Sequence, residues 1–510
     1  MNDIILLTGA TGLVGRYVLR ELLRSSRAKI AVLVRATSEK HAQQRIAAVL
    51  DWLKIDARLR QRVTTCVGDL ARNDFGESQA TQDCLQRCTT VVHAAANVSF
   101  SNDRDEELAK TNVLGTRQLL QQVGPQLRHW IQISTAYVAP TFDDIGVEQE
   151  AKQFDFRNDY EVTKAAAERM VMAVAATRGF ALTIARPGIV VGEYDTGRAS
   201  VFQGFYQPLR AVARLADRAK KNSVGKVRIP LRINVSPEGP RNLVPVDWVA
   251  RVICELVRHG ENARGIFHLT PEGSMQNGPT TSRDVFNAAR SRWQIEGMTF
   301  LPELREKDMT TFERGFYRHL QQIAPYWSGE PRFDDRQRQA LLPHLPCPRI
   351  DEAAIHRLLD YAVETKWGER SEKIAVTNKF AAADYFERFL PKYAPLSTLP
   401  RLSNVTAEVG FRVAGIHRGQ WRCRLVRGDV VAVQRAACEG AAVVFEADGD
   451  TLEAIVEGKL SPQQAFFERR VEIAGDIEMG LKLAMIFGQF IVEFPYAAQL
   501  QRGQTHVAVA

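Results

Sequence analysis

Short apolar runs alternate with amphipathic stretches over the first part of the chain. "IILLT" (4–8) is apolar throughout, and after it Val14, Val18, Leu19 and Leu22 fall on one helical face. The alternation then repeats. "KIAVLVRATSEK" (29–40), "VTTCVGDL" (63–70), "TTVVHAAANVSF" (89–100) and "HWIQISTAYVAP" (129–140) each open as a strand, whereas "TNVLGTRQLL" (111–120) and "DYEVTKAAAERM" (159–170) read as helices. Apolar strands separated by helices predict a parallel sheet covered on both faces. Residues 295–370 carry helical periodicity instead, as in "FERGFYRHLQQIAPYW" and "DEAAIHRLLDYAVETKWG". "FLPKYAPLSTLPRL" (389–402) holds three prolines in fourteen residues and reads as a linker. Beyond it come short strands such as "VTAEVGFRVAG" and "GQWRCRLVRGD", then a closing stretch, "KLSPQQAFFERRVEIAGDIEMGLKLAMIFGQF" (459–490).

At 510 residues the chain is too long for one hydrophobic core. Its 45% hydrophobic and 25% charged residues are those of a soluble globular protein. No apolar run reaches the ~18 residues of a spanning helix. "LAMIFGQFIVEF" (483–494) comes nearest, with Lys482 and Glu493 at its edges. The amino terminus is a buried strand without a basic leader, so no export signal and a cytoplasmic location are expected. The seven cysteines lack metal spacing; Cys84 and Cys88 lie four apart with no second pair, which predicts reduced thiols and no metal. The formal net charge of +8 suits anionic small molecules or a membrane surface.

The strand-to-helix passage at 3–23 contains Gly9, Gly12 and Gly15, spaced to let a tight turn and a helix N-terminus approach a pyrophosphate. The second strand ends in Arg35, where a carboxylate would bind a ribose diol; a cation there, helped by Lys40 or Arg45, suits a 2′-phosphate and hence NADP(H). Asp69 ends the third strand toward the adenine edge, and Ala94, Ala95 and Ala96 leave room for a flat ring. Tyr160 and Lys164 lie one helical turn apart, which by itself is ordinary surface packing. An ammonium so placed also stabilises a phenolate, drawing the phenol toward neutral-pH chemistry.

The glycine turn, "HAAANVSF", "ISTAYV", "YEVTK" and "ARPGIVVGEYDTG" occur in the order and spacing of the extended short-chain dehydrogenase/reductases, and the resemblance covers about residues 1–275. It implies an α/β, doubly wound Rossmann domain with a helical substrate lobe. Tyr160 then becomes the general acid/base, and Lys164 holds the nicotinamide ribose. Thr135, three residues before Val138, hydrogen-bonds the reacting oxygen in preference to Ser134. Asn112 is similar to the asparagine that holds a proton-relay water. The cofactor would be lined by Thr8, Gly9, Thr11, Gly12, Leu13, Val14, Gly15, Arg35, Asp69, Leu70, Ala94, Ala95, Ala96, Tyr160, Lys164, Pro187, Gly188 and Ile189. The local wording, including "AP" where sugar epimerases carry Tyr-Gly, looks most like fatty acyl-CoA reductases and thioester-reductase domains. Gly188 departs from it, since many acyl reductases have serine there.

This resemblance implies NADPH-dependent reduction of long acyl thioesters, carried by coenzyme A or a carrier protein, to aldehyde, with the alcohol left open. A basic strip of Arg210, Arg214, Arg218, Lys220, Lys221, Lys226, Arg228 and Arg232 against Asp217 suits coenzyme A phosphates, a phosphopantetheine carrier, an anionic membrane in peripheral contact, or simply solvent. Nucleic acid is not expected, and His319, His344 and His356 read as structural. The closing stretch is similar to sterol-carrier-protein-type lipid-binding domains, of α+β build, with Leu452, Ile455, Phe466, Phe467, Met485, Ile486 and Phe490 as tunnel or core. The expected organisation is a reductase domain over 1–370 with its lobe at about 190–240 and 295–370, a linker over 371–400, and a lipid-binding domain over 401–510. Two alternatives stand beside the reductase: an NADP-dependent dehydrogenase of a steroid or other lipid alcohol, and a lipid carrier with a redox-sensing nucleotide domain.

Overall fold

The computed structural model describes residues 3–72, 74–75, 78–98, 105–151, 156–219, 222, 224–271, 278–321, 326, 330–368, 382–398, 404–416 and 419–496. The chain divides into two compact units. One comprises Met1–Gln207, Asn234–Arg292 and Pro325–Glu369; the other comprises Pro208–Ile233, Trp293–Ala324 and Arg370–Ala510. Segments 208–233 and 293–324, read from sequence as parts of the reductase lobe, therefore fall in the second unit.

The first unit is built on a seven-stranded sheet. Its elements are β1 (Ile4–Thr8), α1 (Leu13–Ser25), β2 (Lys29–Val34), α2 (Glu39–Trp52), β3 (Val63–Val67), β4 (Thr90–His93), α3 (Gly115–Gln122), β5 (His129–Ile133), α4 (Asp159–Arg178), β6 (Ala181–Pro187), α5 (Val246–His259) and β7 (Gly265–Leu269). The strand order is β7-β6-β5-β4-β1-β2-β3, with every pairing parallel. Alternation along the strands splits the core in two. Leu7, Val32, Val92 and Ile131 pack with α1, α2 and α5 on one face, while Leu6, Ala31, Val91 and Trp130 pack with α3 and α4 on the other. The order reverses between β1 and β4, where such sheets open a crevice for ligands.

In the second unit, α6 (Thr311–His319) begins with a capping box of Thr310 and Glu313. Buried Glu313 also grips Arg232, accepting from its backbone N–H at 3.1 Å, its Nε at 2.7 Å and its Nη2 at 2.6 Å. The C-terminal part holds β8 (Ala407–Ala414), β9 (Gln420–Val426), β10 (Asp429–Gln434), β11 (Val443–Asp448), α7 (Gly449–Val456), α8 (Pro462–Phe467), β12 (Val471–Gly475) and α9 (Ile477–Glu493). These strands form a mixed sheet in the order β10-β9-β8-β11-β12. Residues 382–396, expected as linker, are instead helical. The prolines do not prevent this, because Pro391 and Pro395 sit at the starts of short helical segments, where no N–H is needed. The remaining linker positions 371–381 and 399–402 lie outside the described residues.

Candidate active site and an apolar cavity

The residues singled out from the sequence gather at the C-terminal ends of the strands. Gly9 has φ of 73°, and a Cβ there would lie 2.6 Å from the backbone of Ala94 and Ala95, so only glycine lets the first turn meet the end of β4. Gly12 caps α1 without a side-chain hydrogen bond, leaving the N–H groups of that turn to an anion. Thr8 and His93 pair in register across β1 and β4. Thr8 Oγ1 accepts from the Ala95 N–H at 3.0 Å and bonds His93 Nδ1 at 2.9 Å. His93 Nε2 meets Thr116 Oγ1 at 2.9 Å, and Thr116 donates to the Asn112 carbonyl at 2.7 Å. Since the Thr116 hydroxyl proton is used on Asn112, His93 Nε2 carries the ring proton. Burial, with the charge of Lys164, pushes the His93 pKa down to about 3, so the ring stays neutral.

Asn112 is buried in a π-helical turn, Lys110–Leu114. Its side chain clamps the backbone of Asn97, accepting at 2.7 Å and donating at 3.0 Å, and donates to Thr163 Oγ1 at 3.1 Å. Thr163 lies beside Lys164 on α4, so the clamp joins the alanine strand end to the tyrosine helix. Lys164 is buried and donates to the Ile133 carbonyl at 2.6 Å, which sets its ammonium at the end of β5 beside Ser134 and Thr135. Thr135 Oγ1 accepts from the Tyr137 N–H at 3.4 Å; Ser134 Oγ is buried without a hydrogen-bond partner. Tyr160 is half-buried in the first turn of α4, which Asn158 caps through the Glu161 N–H. Burial and the neighbouring Glu161 push the phenol up, and burial pushes Lys164 down to about 8.

Gly188 follows Pro187 at the end of β6, and a Cβ on it would lie 2.4 Å from the Asn242 carbonyl oxygen. That contact leaves no room for a side chain at this position. Ile189 continues the wall, donating to the same carbonyl at 2.8 Å. Leu70 is buried against Gly115, and Asp69 accepts from the Ala71 N–H at 3.0 Å. Arg35 and Lys40 are exposed just past β2, and Arg45 donates to the Arg35 carbonyl.

Several supporting residues escaped the sequence reading. Arg186 and Glu168 form a fully buried bidentate pair, at 2.9 and 2.6 Å, that ties α4 to β6. Glu161 accepts from Tyr326 at 2.8 Å, Tyr137 donates to Glu330 at 2.5 Å, and the Arg157 guanidinium sits 5.2 and 5.3 Å from the rings of Tyr137 and Tyr326. Their partners come from distant parts of the chain, and no local motif announces them. The basic strip is not one face. Arg232 is engaged by Glu313, Arg214 is buried, and Lys226 and Arg228 are exposed; Lys220, Lys221 and the side chains of Arg218 and His319 lie outside the described residues. Among the described residues no His, Cys, Asp and Glu cluster could hold a metal, the seven cysteines are free, and no helix is long and apolar enough to cross a membrane.

The second unit contains an apolar pocket between its C-terminal sheet and helices. Leu452 and Ile455 line it, together with Phe411, Phe445, Ala484 and Phe487. Tyr385, Phe386 and Leu390 from the supposed linker complete one wall. Phe466, Phe467, Ile486 and Phe490 are buried in the core instead, and Met485 lies against Gly315 of α6.

Residues 7–253 match the male sterility protein family, and residues 386–488 match the SCP-2 sterol transfer family. The chain is 35% identical over 218 residues to an isonitrile lipopeptide synthase of Streptomyces coeruleorubidus, covering 41% of this chain and 14% of that protein. It is 26% identical over 307 residues to human fatty acyl-CoA reductase 2, covering 52% and 57%. The chain thus spans less than two thirds of either curated relative. Among solved structures, the terminal R domain from the myxalamid PKS-NRPS biosynthetic pathway aligns over 72% of this chain and 92% of its own length, at 25% identity and a TM-score of 0.59. With the glycine turn and strand order already described, these likenesses mark a nicotinamide-cofactor domain of extended short-chain dehydrogenase/reductase type. One chain thus carries a segment similar to the male sterility protein family over 7–253 and a segment similar to the SCP-2 sterol transfer family over 386–488.

Proposed function

We propose that this protein is an NADPH-dependent reductase of long-chain acyl thioesters, with coenzyme A or a carrier protein as the thiol. The observation that carries the reading is the placement of Lys164 at the end of β5, bonded to Ile133 beside Thr135 and one turn from Tyr160. The residues present fit a dinucleotide: Gly9 makes a cradle that a Cβ would fill, and Gly12 leaves the helix turn uncapped. Arg35 and Lys40 favour the 2′-phosphate, since both are exposed where it would lie.

When bound, the cofactor supplies a hydride, so that thioester, NADPH and a proton become aldehyde, thiol and NADP⁺. Thr135 and Tyr160 donate hydrogen bonds to the carbonyl oxygen as its negative charge grows. Tyr160 then gives up its proton, and the Lys164 ammonium stabilises the phenolate left behind. The hemithioacetal then collapses: its hydroxyl proton returns to the Tyr160 phenolate, and the thiolate that leaves takes a proton from solvent to become the thiol. A second round on the aldehyde gives the primary alcohol.

Product analysis after incubation with NADPH and mixed acyl thioesters tests this reading. Aldehyde or alcohol with release of free thiol is the expected result. Oxidation of a lipid secondary alcohol by NADP⁺ without thioester reduction replaces it with the dehydrogenase. Arg35→Ala is expected to raise the KM for NADPH about tenfold and leave that for NADH nearly unchanged, consistent with losing one charge-assisted contact.

A further inference from the structure

Two residues of one short stretch, Tyr326 and Glu330, reach three separate walls of the site. The first wall is the turn after β5. Thr135 Oγ1 accepts from the Tyr137 N–H, and the Tyr137 hydroxyl donates to Glu330 at 2.5 Å. Burial and the Glu330 charge push the Tyr137 phenol well above its ordinary range, so this donor keeps its proton. The second wall is the first turn of α4. Tyr326 donates to Glu161 Oε1 at 2.8 Å and accepts from Asn158 Nδ2 at 2.7 Å, while Asn158 caps the helix through the Glu161 N–H. Tyr160 lies between these two residues in the chain. The third wall is the Gly188–Ile189 passage. Glu330 accepts from the Asn242 N–H at 2.8 Å and from its Nδ2 at 3.0 Å, and the Asn242 carbonyl in turn accepts from the Ile189 N–H at 2.8 Å.

The chemistry of this brace suits orientation more than bulk stability. Glu330 is buried, with Arg241 Nη1 at 3.2 Å as its cation. An apolar residue of similar volume would fill the space about as stably, since desolvating a carboxylate offsets much of what its partners contribute. What the carboxylate adds is direction: Oε2 alone collects Tyr137 and both Asn242 donors. The rings of Tyr137 and Tyr326 meet edge-to-face at 5.1 Å, with the Arg157 guanidinium beside both, which joins the first wall to the second. Misplacing a reacting group by about 1 Å can cost about 10²-fold in rate.

We propose that Tyr326 and Glu330 are positioning residues of the reaction: they set the Thr135 turn and the Tyr160 helix against each other so that both hydroxyls meet one carbonyl oxygen. The proposal rests on the reductase reading for what Thr135 and Tyr160 do, and on the hydrogen bonds for how they are held.

Steady-state reduction of palmitoyl-CoA by NADPH in the native protein, Tyr326→Phe, Glu330→Gln and Glu330→Ala tests it. Tyr326→Phe keeps the ring and removes only the hydroxyl; it is expected to lower kcat about tenfold with the KM for NADPH unchanged. Glu330→Ala is expected to lower kcat about 10²-fold. The amide oxygen of Glu330→Gln still accepts from Tyr137 and Asn242, so this variant is expected to stay within about threefold of native. Where Glu330→Ala does not fold, Tyr326→Phe carries the test. Without any substrate, hydrogen exchange at residues 161–164 is expected to be at least about threefold faster in Tyr326→Phe than in the native protein. Native kcat in Tyr326→Phe overturns the proposal, as does a Glu330→Gln no more active than a folded Glu330→Ala, or unchanged exchange in the tyrosine helix. Absence of thioester reduction by the native protein refutes the reductase reading alone, and the exchange measurement then decides whether the brace holds the helix.

Discussion

Burial moves the two ionisable groups of the tyrosine helix in opposite directions, Tyr160 up and Lys164 down to about 8. Both shifts have the same cause, the cost of charge away from water. Tyr160 is therefore protonated at neutral pH, the state a proton donor needs, and Tyr160→Phe should lower kcat about 10²–10⁴-fold with little change in the KM for NADPH. Since Lys164 loses its charge as pH rises through about 8, kcat/KM for reduction should fall above that pH. The same group leaves a mark on stability. Its folded pKa lies below its ordinary 10.5, so between about 8 and 10.5 the unfolded chain holds the extra proton. The contribution of Lys164 to stability is thus unfavourable below about 8 and improves with rising pH across that window. Thermal unfolding of the native protein against Lys164→Met should show the native form gaining over the variant there. These residues were legible as types at a spacing. The neutral His93 linking Thr8 to Thr116 was not, because a lone histidine at a strand end is ordinary core until its two partners are seen.

The helices and strands hold those residues through contacts that span long stretches of chain. Glu168, two turns beyond Tyr160, meets Arg186 on β6 with both side chains buried. Glu168→Ala leaves a guanidinium unpaired in the interior, which should cost about 3–5 kcal/mol in denaturant unfolding. Adding Arg186→Met should recover part of that loss, because an uncharged pair of similar volume carries no desolvation penalty. The strands of the parallel sheet were readable because apolar runs between amphipathic helices have few other folds open to them. Residues 382–396 were misread for a local reason. Proline density signals a break, yet Pro391 and Pro395 fall where helical segments begin, and the aromatic residues around them find partners only in three dimensions. Phe386 stacks on Trp421 at 4.8 Å and helps wall the cavity.

At the scale of the molecule, the boundary between compact units does not follow the order of the chain. Segments 208–233 and 293–324 precede the SCP-2 domain by a long stretch, yet they share its unit. The contact of Gly315 with Met485 makes this testable. Gly315→Leu pushes a larger side chain onto α9 and should cost about 1–3 kcal/mol by overpacking. The KM for NADPH should stay as it was, since the nucleotide turn belongs to the other unit.

What the sequence determined by itself was local and periodic: the glycine turn, the strand ends that carry the site, the Tyr160–Lys164 spacing, and the change of pattern beyond residue 400. Each follows from chemistry within a few residues or from one repeat period. What only the tertiary structure decided was pairing at a distance. It set Lys164 against Ile133, Glu168 against Arg186, Gly188 against Asn242, and α6 against the helix that lines the cavity. Those contacts depend on which surfaces meet once apolar faces are buried, and a linear pattern states that a face is apolar without stating what will cover it.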